Sequence, residues 1–249
     1  MASILVDKLK RKFAYFLEGI VPPLVARFIF ELPQLFLARR LPSAYSTLPT
    51  AQLGMAKLLN DYEFGSVLDV GSGAGHHATF MSKAGKDVTA LDFGTSVYAQ
   101  EEARGDKPYK SIKADFYSWV PPEAFDCVWA SHVLEHQPNP GLFLRRCIDL
   151  VKDDGILAIT VPPSKNLIVG GHLTVWNAGL LLYNLVFNGL DCSEASILTY
   201  GYNITVIVRK RTREDISISW DYGDITSLKQ FFPDFVSEPF EGRVRKWNW

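Results

Sequence analysis

The chain has 249 residues, of which 47% are hydrophobic and 21% are charged, and its formal net charge is -1. This length fits one large domain with an extension, and a charge near zero argues against a general nucleic-acid binder, which would carry a basic excess. No apolar run reaches the ~18 residues of a membrane span, and three scattered cysteines without metal-ligand spacing predict free thiols in a cytoplasmic protein without zinc.

Residues 1–60 differ in pattern from the rest of the chain. Apolar residues recur at helical spacing from Ile4 to Leu17, with lysines and an arginine beside them, and prolines then divide the segment into short helices. We expect an N-terminal helical extension that caps the main domain. An alternative is that its basic, aromatic face contacts a membrane surface or an apolar substrate, which would make the protein peripherally membrane-associated.

Strands and helices alternate over residues 61–212. The predicted strands are 66–70, 87–92, 111–115, 125–133 and 156–162, and the predicted helices are 75–85, 95–105 and 139–155. Because parallel strands need helical crossovers, this order predicts a doubly wound, Rossmann-like α/β sheet.

The pattern changes after residue 162. A strongly apolar helix is predicted at 174–190, followed by two strands, 192–200 and 203–210, which are close enough to pair antiparallel. The sheet is therefore expected to be mostly parallel with an antiparallel last strand. Residues 213–249 are treated as a C-terminal extension packed on the substrate side.

The stretch VLDVGSGAGHHATF, residues 67–80, has the pattern of a buried strand, a glycine-rich turn and the start of a helix. A dinucleotide fingerprint would place a third glycine where His76 stands, and a phosphate-binding P-loop would need Gly-Lys-Ser/Thr, which is absent. The turn instead has Asp69 at the strand end, with glycines at 71, 73 and 75. A carboxylate there would repel a pyrophosphate and favours a ligand with cationic or donor groups.

This pattern resembles the class I S-adenosylmethionine-dependent methyltransferases, from about Gly65 to Val161. The resemblance implies S-adenosylmethionine as the cofactor, with its methionine portion contacted by Asp69, Gly71, Ser72, Gly73 and Gly75. It also implies that Asp92, at the end of the second strand, accepts hydrogen bonds from both ribose hydroxyls.

Further cofactor contacts follow from the same resemblance. Phe93 would pack on the adenine face, Asp115 would accept from the adenine amino group with Phe116 alongside, and Ser131 would line the cofactor. Each acid could instead be a solvated carboxylate at a strand end, and the glycines could serve only a tight turn. The ordered set of glycine turn, two strand-end acids and a fourth strand opening with Phe-Asp favours the cofactor site.

Two histidines are the candidate catalytic residues. A hydroxyl acceptor gains from a general base with a pKa near neutrality, which favours histidine. His136 follows the fourth strand, where the transferable methyl group should lie, and His172 follows the fifth strand in a glycine-containing loop. Glu135 is a rival base for His136. Alternatively, His136 stabilises its loop and His172 starts a helix. No metal site is expected.

The predicted function is methyl transfer to a small-molecule or glycan acceptor, at oxygen, without a nucleic-acid partner. One alternative is a lipid-like acceptor at the membrane surface, favoured by the basic N-terminal pattern. Another is a non-catalytic relative that keeps the cofactor fold as a binding module. The retention of Asp69, Gly71, Gly73, Asp92 and Asp115 argues against that second alternative.

Overall fold

The computed structural model describes residues 41, 43–95, 106–164, 169–215, 217–219, 224–236 and 249. The chain divides into two units, Met1–Leu41 and Pro42–Trp249, and the fold below is that of the second. The predicted helices of residues 1–40 lie outside the described residues, as does nearly all of the predicted helix 95–105. Much of the C-terminal extension also lies outside them.

Seven strands form one sheet in the order β3-β2-β1-β4-β5-β7-β6. The strands are β1 Ser66–Val70, β2 Asp87–Asp92, β3 Lys110–Lys113, β4 Phe125–Ser131, β5 Val151–Val161, β6 Ser196–Tyr200 and β7 Asn203–Arg209. From β3 to β5 the neighbours pair parallel, whereas β7 runs antiparallel to both β5 and β6. The predicted doubly wound sheet with an antiparallel last strand is confirmed.

Helices cover the sheet. Those described are α1 Gln52–Asp61, α2 His76–Lys83, α3 Pro140–Leu150, α4 Ala178–Phe187 and α5 Asp224–Leu228, with short 3₁₀ helices at Ser43–Thr47, Leu134–His136 and Lys229–Phe231. Asn139 and Asn177 cap the N-termini of α3 and α4 by accepting from backbone N–H groups three residues on. Within the described part of the chain, no helix has the length and apolarity that a membrane crossing requires.

The predicted helix 139–155 is wrong at its C-terminal end. Helix α3 stops at Leu150, and β5 begins at once with Val151, which is extended (φ -89°, ψ 133°). Residues 151–155 pair along the sheet, because Val151 is in register with Phe125 and Gly155 O accepts from Lys210 N at 2.7 Å. Tertiary pairing here outweighs the helix-favouring composition of the segment.

Two predicted strands also end earlier than expected. The third strand stops at Lys113, which leaves Asp115 in the connection that follows. The fourth stops at Ser131 because His132 adopts a left-handed backbone conformation, φ 59°, which a strand cannot contain. Both terminations place polar residues at the carboxyl edge of the sheet, where ligands bind in this architecture.

The apolar core lies on both faces of the sheet. Val67, Leu68 and Val128 are fully buried in the central strands, and the whole of β7 up to Val208 is buried as well. Cys127, Cys147 and Cys192 are buried and free, as the predicted free thiols require, and they pack as small apolar side chains.

Candidate functional site

The turn after β1 is built from glycines in conformations that other residues rarely adopt. Gly71, Gly73 and Gly75 have φ values of 67, 51 and 74°. Gly71 N donates to Leu91 O at 2.8 Å, which holds the turn against the end of β2. A Cβ atom on Gly71 would lie 2.5 Å from Cγ2 of Val133, so the turn also approaches the loop after β4 too closely for a side chain.

Asp92 connects the end of β2 to this turn. Its Oδ2 accepts from Gly73 N at 2.9 Å and its Oδ1 accepts from Gly94 N at 2.7 Å. Each carboxylate oxygen can accept a second hydrogen bond, so two acceptor positions remain for a ligand. Two adjacent hydroxyl groups fit this arrangement.

Two buried polar atoms at the ends of neighbouring strands β1 and β4 have no hydrogen-bond partner among the described residues: Asp69 Oδ2 and Ser131 Oγ. Burial raises the pKa of Asp69 to about 8; the backbone N–H of Ala78 opposes this shift, and the charge of Asp92 adds to it. A buried carboxyl group without a counter-charge is costly. Unpaired acceptors of this kind fit the ammonium and sulfonium groups of S-adenosylmethionine. The side chains at this position are therefore suited to the implied cofactor.

The other predicted cofactor contacts lie beyond β2 and β3. Asp115 Oδ1 accepts from Tyr117 N at 3.2 Å. Phe93 is 56% exposed, whereas Phe116 is 7% exposed, and its ring packs 5.1 Å from that of Phe143. Phe93 therefore presents an open ring face, and most of Phe116 belongs to the core. Together with Asp69, Ser72, the three glycines, Asp92 and Ser131, these residues are called the glycine-turn site below.

A second group of side chains follows β4, and we call His132, Glu135, His136 and His172 the histidine cluster. Glu135 is fully buried, and its Oε1 lies 3.2 Å from Nδ1 of His132. The other ring nitrogen of His132, Nε2, lies 3.0 Å from Asn203 Oδ1. Burial disfavours the charged ring, but the contacts with Glu135 and Asn203 outweigh it and raise the pKa of His132.

The two predicted catalytic histidines lie together, although 36 positions separate them. The rings of His136 and His172 have centroids 4.8 Å apart, edge to face. Backbone contacts explain the proximity, because Glu135 O accepts from Leu173 N at 2.8 Å and from Thr174 N at 3.2 Å. These bonds attach the loop after β5 to the loop after β4.

The tautomer of His136 follows from its partner. Nδ1 lies 2.7 Å from Gly171 O, and a carbonyl oxygen only accepts, so Nδ1 carries the hydrogen. The lone pair of a neutral ring is then on Nε2, which lies 3.9 Å from Glu135 Oε1. Since the side chain of His136 is 43% exposed, this nitrogen can accept a proton from a bound molecule.

Glu135, His136 and His172 also offer one ligand atom each within 4.8 Å of one another. This donor set could hold a divalent metal ion. Positions 135, 136 and 172 follow no metal-site spacing in the sequence, so no metal ligand was expected there. The three side chains come together only when the loop after β5 folds back onto Glu135.

His77, in the first turn of α2, has a hydrogen-bond partner at each ring nitrogen. Nε2 donates to Thr50 O at 3.1 Å, and Nδ1 accepts from Trp129 Nε1 at 3.4 Å. Burial lowers the pKa of His77 to about 4, the bond to Thr50 opposes this, and the charges of His132 and His76 add to it. The ring is neutral and ties the segment before α1 to β4.

Comparisons with known proteins match the part of the chain that contains this site. Residues 68–159 match the family described as a methyltransferase domain. Over 94 residues, the chain is 37% identical to the ubiquinone biosynthesis O-methyltransferase of Pseudomonas entomophila, a match that covers 36% of this chain and 40% of the relative. The corresponding enzyme of Paracidovorax citrulli is 34% identical over 95 residues, with the same coverage. The chain thus spans about two fifths of the length of these relatives.

Among solved structures, the Burkholderia thailandensis 1,6-didemethyltoxoflavin-N1-methyltransferase, which contains S-adenosylhomocysteine, is similar with a TM-score of 0.54 and 18% identity. The similarity covers 68% of this chain and 81% of that one, and at this identity it supports the fold. The matched segment includes the glycine turn, Asp92, Asp115 and the loop with Glu135 and His136. Over residues 68–159, the chain is thus similar to the S-adenosylmethionine-dependent methyltransferases, and its fold is theirs.

Proposed function

We propose that this protein transfers a methyl group from S-adenosylmethionine to an oxygen atom of a small-molecule or glycan acceptor. One observation carries the proposal: Asp92 locks the glycine turn through Gly73 N at 2.9 Å, beside the unpaired, buried Asp69 Oδ2. The cofactor residues in this proposal are Asp69, Gly71, Ser72, Gly73, Gly75, Asp92, Phe93, Asp115, Phe116 and Ser131.

Each part of the glycine-turn site has a distinct task in this proposal. Asp92 would accept from the ribose hydroxyls with the acceptor positions that Gly73 and Gly94 leave open. Asp69 and Ser131 would pair with the methionine portion. Bound S-adenosylmethionine supplies a methyl group made electrophilic by the sulfonium, so the protein has to supply alignment and a base.

The proposed base is His136. Its Nδ1–H is held by Gly171 O, so Nε2 is the nitrogen that would accept the proton of an acceptor hydroxyl. His172 lies against the ring of His136 and would hold the acceptor or the base in place. The choice of oxygen is supported by the names of the relatives from Pseudomonas and Paracidovorax, which are O-methyltransferases.

The cofactor half of the proposal is tested by calorimetric titration with S-adenosylmethionine and S-adenosylhomocysteine. Asp92→Ala should weaken binding by about 2 kcal/mol or more, because charge-assisted hydrogen bonds are lost. The matched control is Asp87→Ala, which removes an exposed carboxylate from the other end of the same strand. Equal affinity in wild type and Asp92→Ala would contradict the ribose role.

The transfer itself is tested with 3,4-dihydroxybenzoate, the same catechol carrying a prenyl chain, and a hexose. Methylated product with any of them supports the proposal, and the position of the label from methyl-labelled cofactor identifies the oxygen. A parallel reaction with a chelator shows whether the donor set of Glu135, His136 and His172 needs a metal ion. Tight cofactor binding without any methylated product would favour the non-catalytic alternative.

A lipid-like acceptor is the second candidate, and exposed apolar residues beside His172 favour it. Val169, Leu173 and Val175 are 43, 62 and 56% exposed. A prenyl chain could lie along them while its ring faced the histidine cluster. Leu173→Ser combined with Val175→Ser should then raise KM for the prenylated catechol alone, whereas Val120→Ser, at an 81% exposed position in another loop, should not. Equal KM changes for the water-soluble and prenylated acceptors would rule this candidate out.

A further inference from the structure

Asn203, the first residue of β7, joins three segments that are far apart in the sequence. Its Oδ1 lies 3.1 Å from Ala51 N and 3.0 Å from His132 Nε2, and its Nδ2 donates to Tyr200 O at 3.4 Å. The side chain is 6% exposed. Moving this buried amide would leave its hydrogen-bond partners unsatisfied, which costs free energy.

The contact with Ala51 determines the contact with His132. A backbone N–H only donates, so the Asn203 atom that faces Ala51 N is the carbonyl oxygen. That oxygen also faces His132, so Nε2 of His132 must be the donor. The ring of His132 is thereby fixed in one orientation, with Nδ1 directed at Glu135.

The main chain of His132 does not by itself fix the ring, which also lies beside the ring of Tyr202, with centroids 6.0 Å apart. The backbone at His132 is left-handed (φ 59°), an uncommon conformation for a residue other than glycine. The backbone N–H of His132 donates to Thr160 O at 2.8 Å, which anchors the main chain but leaves the ring free to rotate. Asn203 and Glu135 therefore set the ring.

Glu135 lies between the ring of His132 and the residues proposed to act on the acceptor. Its carboxylate lies 3.2 Å from His132 and 3.9 Å from Nε2 of His136, and its carbonyl oxygen holds the loop that carries His172. We propose that Asn203 is a positioning residue for the methyl transfer: it fixes His132, and through Glu135 it aligns His136. This inference rests on the proposed function.

Tyr200 supplies a matched control in the same hairpin. Its hydroxyl accepts from Gly54 N at 2.9 Å and shares a hydrogen bond with Thr205 Oγ1 at 3.0 Å. Like Asn203, Tyr200 therefore ties the start of α1 to the antiparallel strands. Unlike Asn203, it has no contact with His132, so Tyr200→Phe loosens the same attachment without touching the histidine cluster.

The experiment measures kcat and KM with 3,4-dihydroxybenzoate as the acceptor, cofactor affinity by calorimetry and thermal stability, for Asn203→Leu, Asn203→Asp and Tyr200→Phe. We expect Asn203→Leu to lower kcat by about tenfold to a hundredfold, since small misplacements of reacting groups cost that much. Its cofactor affinity should stay unchanged. Asn203→Asp keeps an acceptor oxygen and should retain most of kcat. Tyr200→Phe should lose stability without losing kcat.

A double variant tests the route through His132. If Asn203 acts through that ring, Asn203→Leu has no further effect on kcat in a His132→Gln background. Additive effects on kcat would overturn the inference, as would a loss of kcat in Tyr200→Phe equal to that in Asn203→Leu.

If the wild-type protein methylates no acceptor, the proposed function fails, and the inference is decided by the ring signals of His132 and His136 in ¹H–¹³C spectra. Asn203→Leu should move the signals of both rings, and Tyr200→Phe should move neither. Unmoved His136 signals in Asn203→Leu would overturn the positioning role whatever the activity of the protein.

Discussion

The glycine-turn site and the histidine cluster lie at the same edge of one sheet, but they are held together differently. In the first, contacts are short-range across adjacent strands, as between Asp92 and Gly73 or Gly94. In the second, residues far apart in the sequence meet: His136 contacts His172, and His132 contacts Asn203, which in turn accepts from Ala51 N. One site depends on main-chain conformation, and the other depends on tertiary packing.

This difference has a physical consequence for how each site responds to change. A turn that requires positive φ at three positions tolerates almost no substitution there, because other residues strain the backbone. A cluster of side chains can be rebuilt by altering any of several loops. In the proposed function, the first arrangement would hold the cofactor and the second would face the acceptor.

Among the substitutions that test this difference between the two sites, those in the histidine cluster should have the largest effect. His136→Gln should lower kcat by about a hundredfold or more, since a positioned general base contributes at least that much. Cofactor affinity, measured by calorimetry, should not change, because no residue of the glycine-turn site contacts the replaced ring in the described structure. His172→Gln should have a smaller effect on kcat. A His136→Gln enzyme with wild-type kcat would remove His136 from the role of base.

The next effect concerns His77, which joins the segment before α1 to β4 through Thr50 and Trp129. Its folded-state pKa of about 4 lies below the ordinary value near 6.5, so the unfolded chain binds more protons between these values. The stability that His77 contributes is therefore fully present above pH 6.5 and is lost as the pH falls through 4, by about 3 kcal/mol. Chemical unfolding across this range, for wild type and His77→Gln, measures it.

The quantity to compare is the change of unfolding free energy with pH, because His77→Gln can also shift the stability at every pH by the same amount. The raised pKa of His132 acts in the opposite sense: its contribution is present at low pH and is lost as the pH rises. Glu135, Asn203, His77 and the other cluster histidines surround that ring. If the stability of His77→Gln falls with decreasing pH as steeply as that of wild type, a group other than His77 causes the fall.

The smallest effect expected is at Gly71. Gly71→Ala should lower the free energy of unfolding by about 2 kcal/mol and weaken cofactor binding, because φ is 67° and the new Cβ meets Val133 at 2.5 Å. Val133→Ala in the same chain should restore part of both. Gly85→Ala is the control: its φ is 84°, but no atom lies within 4 Å of the added carbon. Weakened cofactor binding in Gly85→Ala would show that strain alone, without the contact, disturbs the turn.

The sheet and the glycine-turn site are predictable from the sequence because their signals are local. Buried strands such as 66–70 are short, mostly apolar segments, and the acid at the end of this strand and the glycines after it stand at fixed spacing. The misassigned end of α3 shows the limit, since Val151–Gly155 has a composition compatible with a helix and pairs with β4 and β7 only in the folded chain.

The histidine cluster is predictable only in part. His136 and His172 can be proposed from their positions after two strands, but their contact depends on the carbonyl oxygen of Glu135, which no side-chain pattern encodes. Asn203 carries no signal at all in the sequence, where it opens an apolar strand. Its importance comes from the left-handed backbone of His132 and from the distant Ala51, which meet it only after folding.

The attachment of Thr50 and Ala51 also bears on how the protein can be shortened. Thr50 O is the acceptor for His77, and Ala51 N is a donor to Asn203. A chain beginning at Gln52 would keep α1 to α5 and all seven strands, and would still deprive the His77 ring and the Asn203 amide of one partner each. Any minimal version of this domain should therefore start upstream of Thr50.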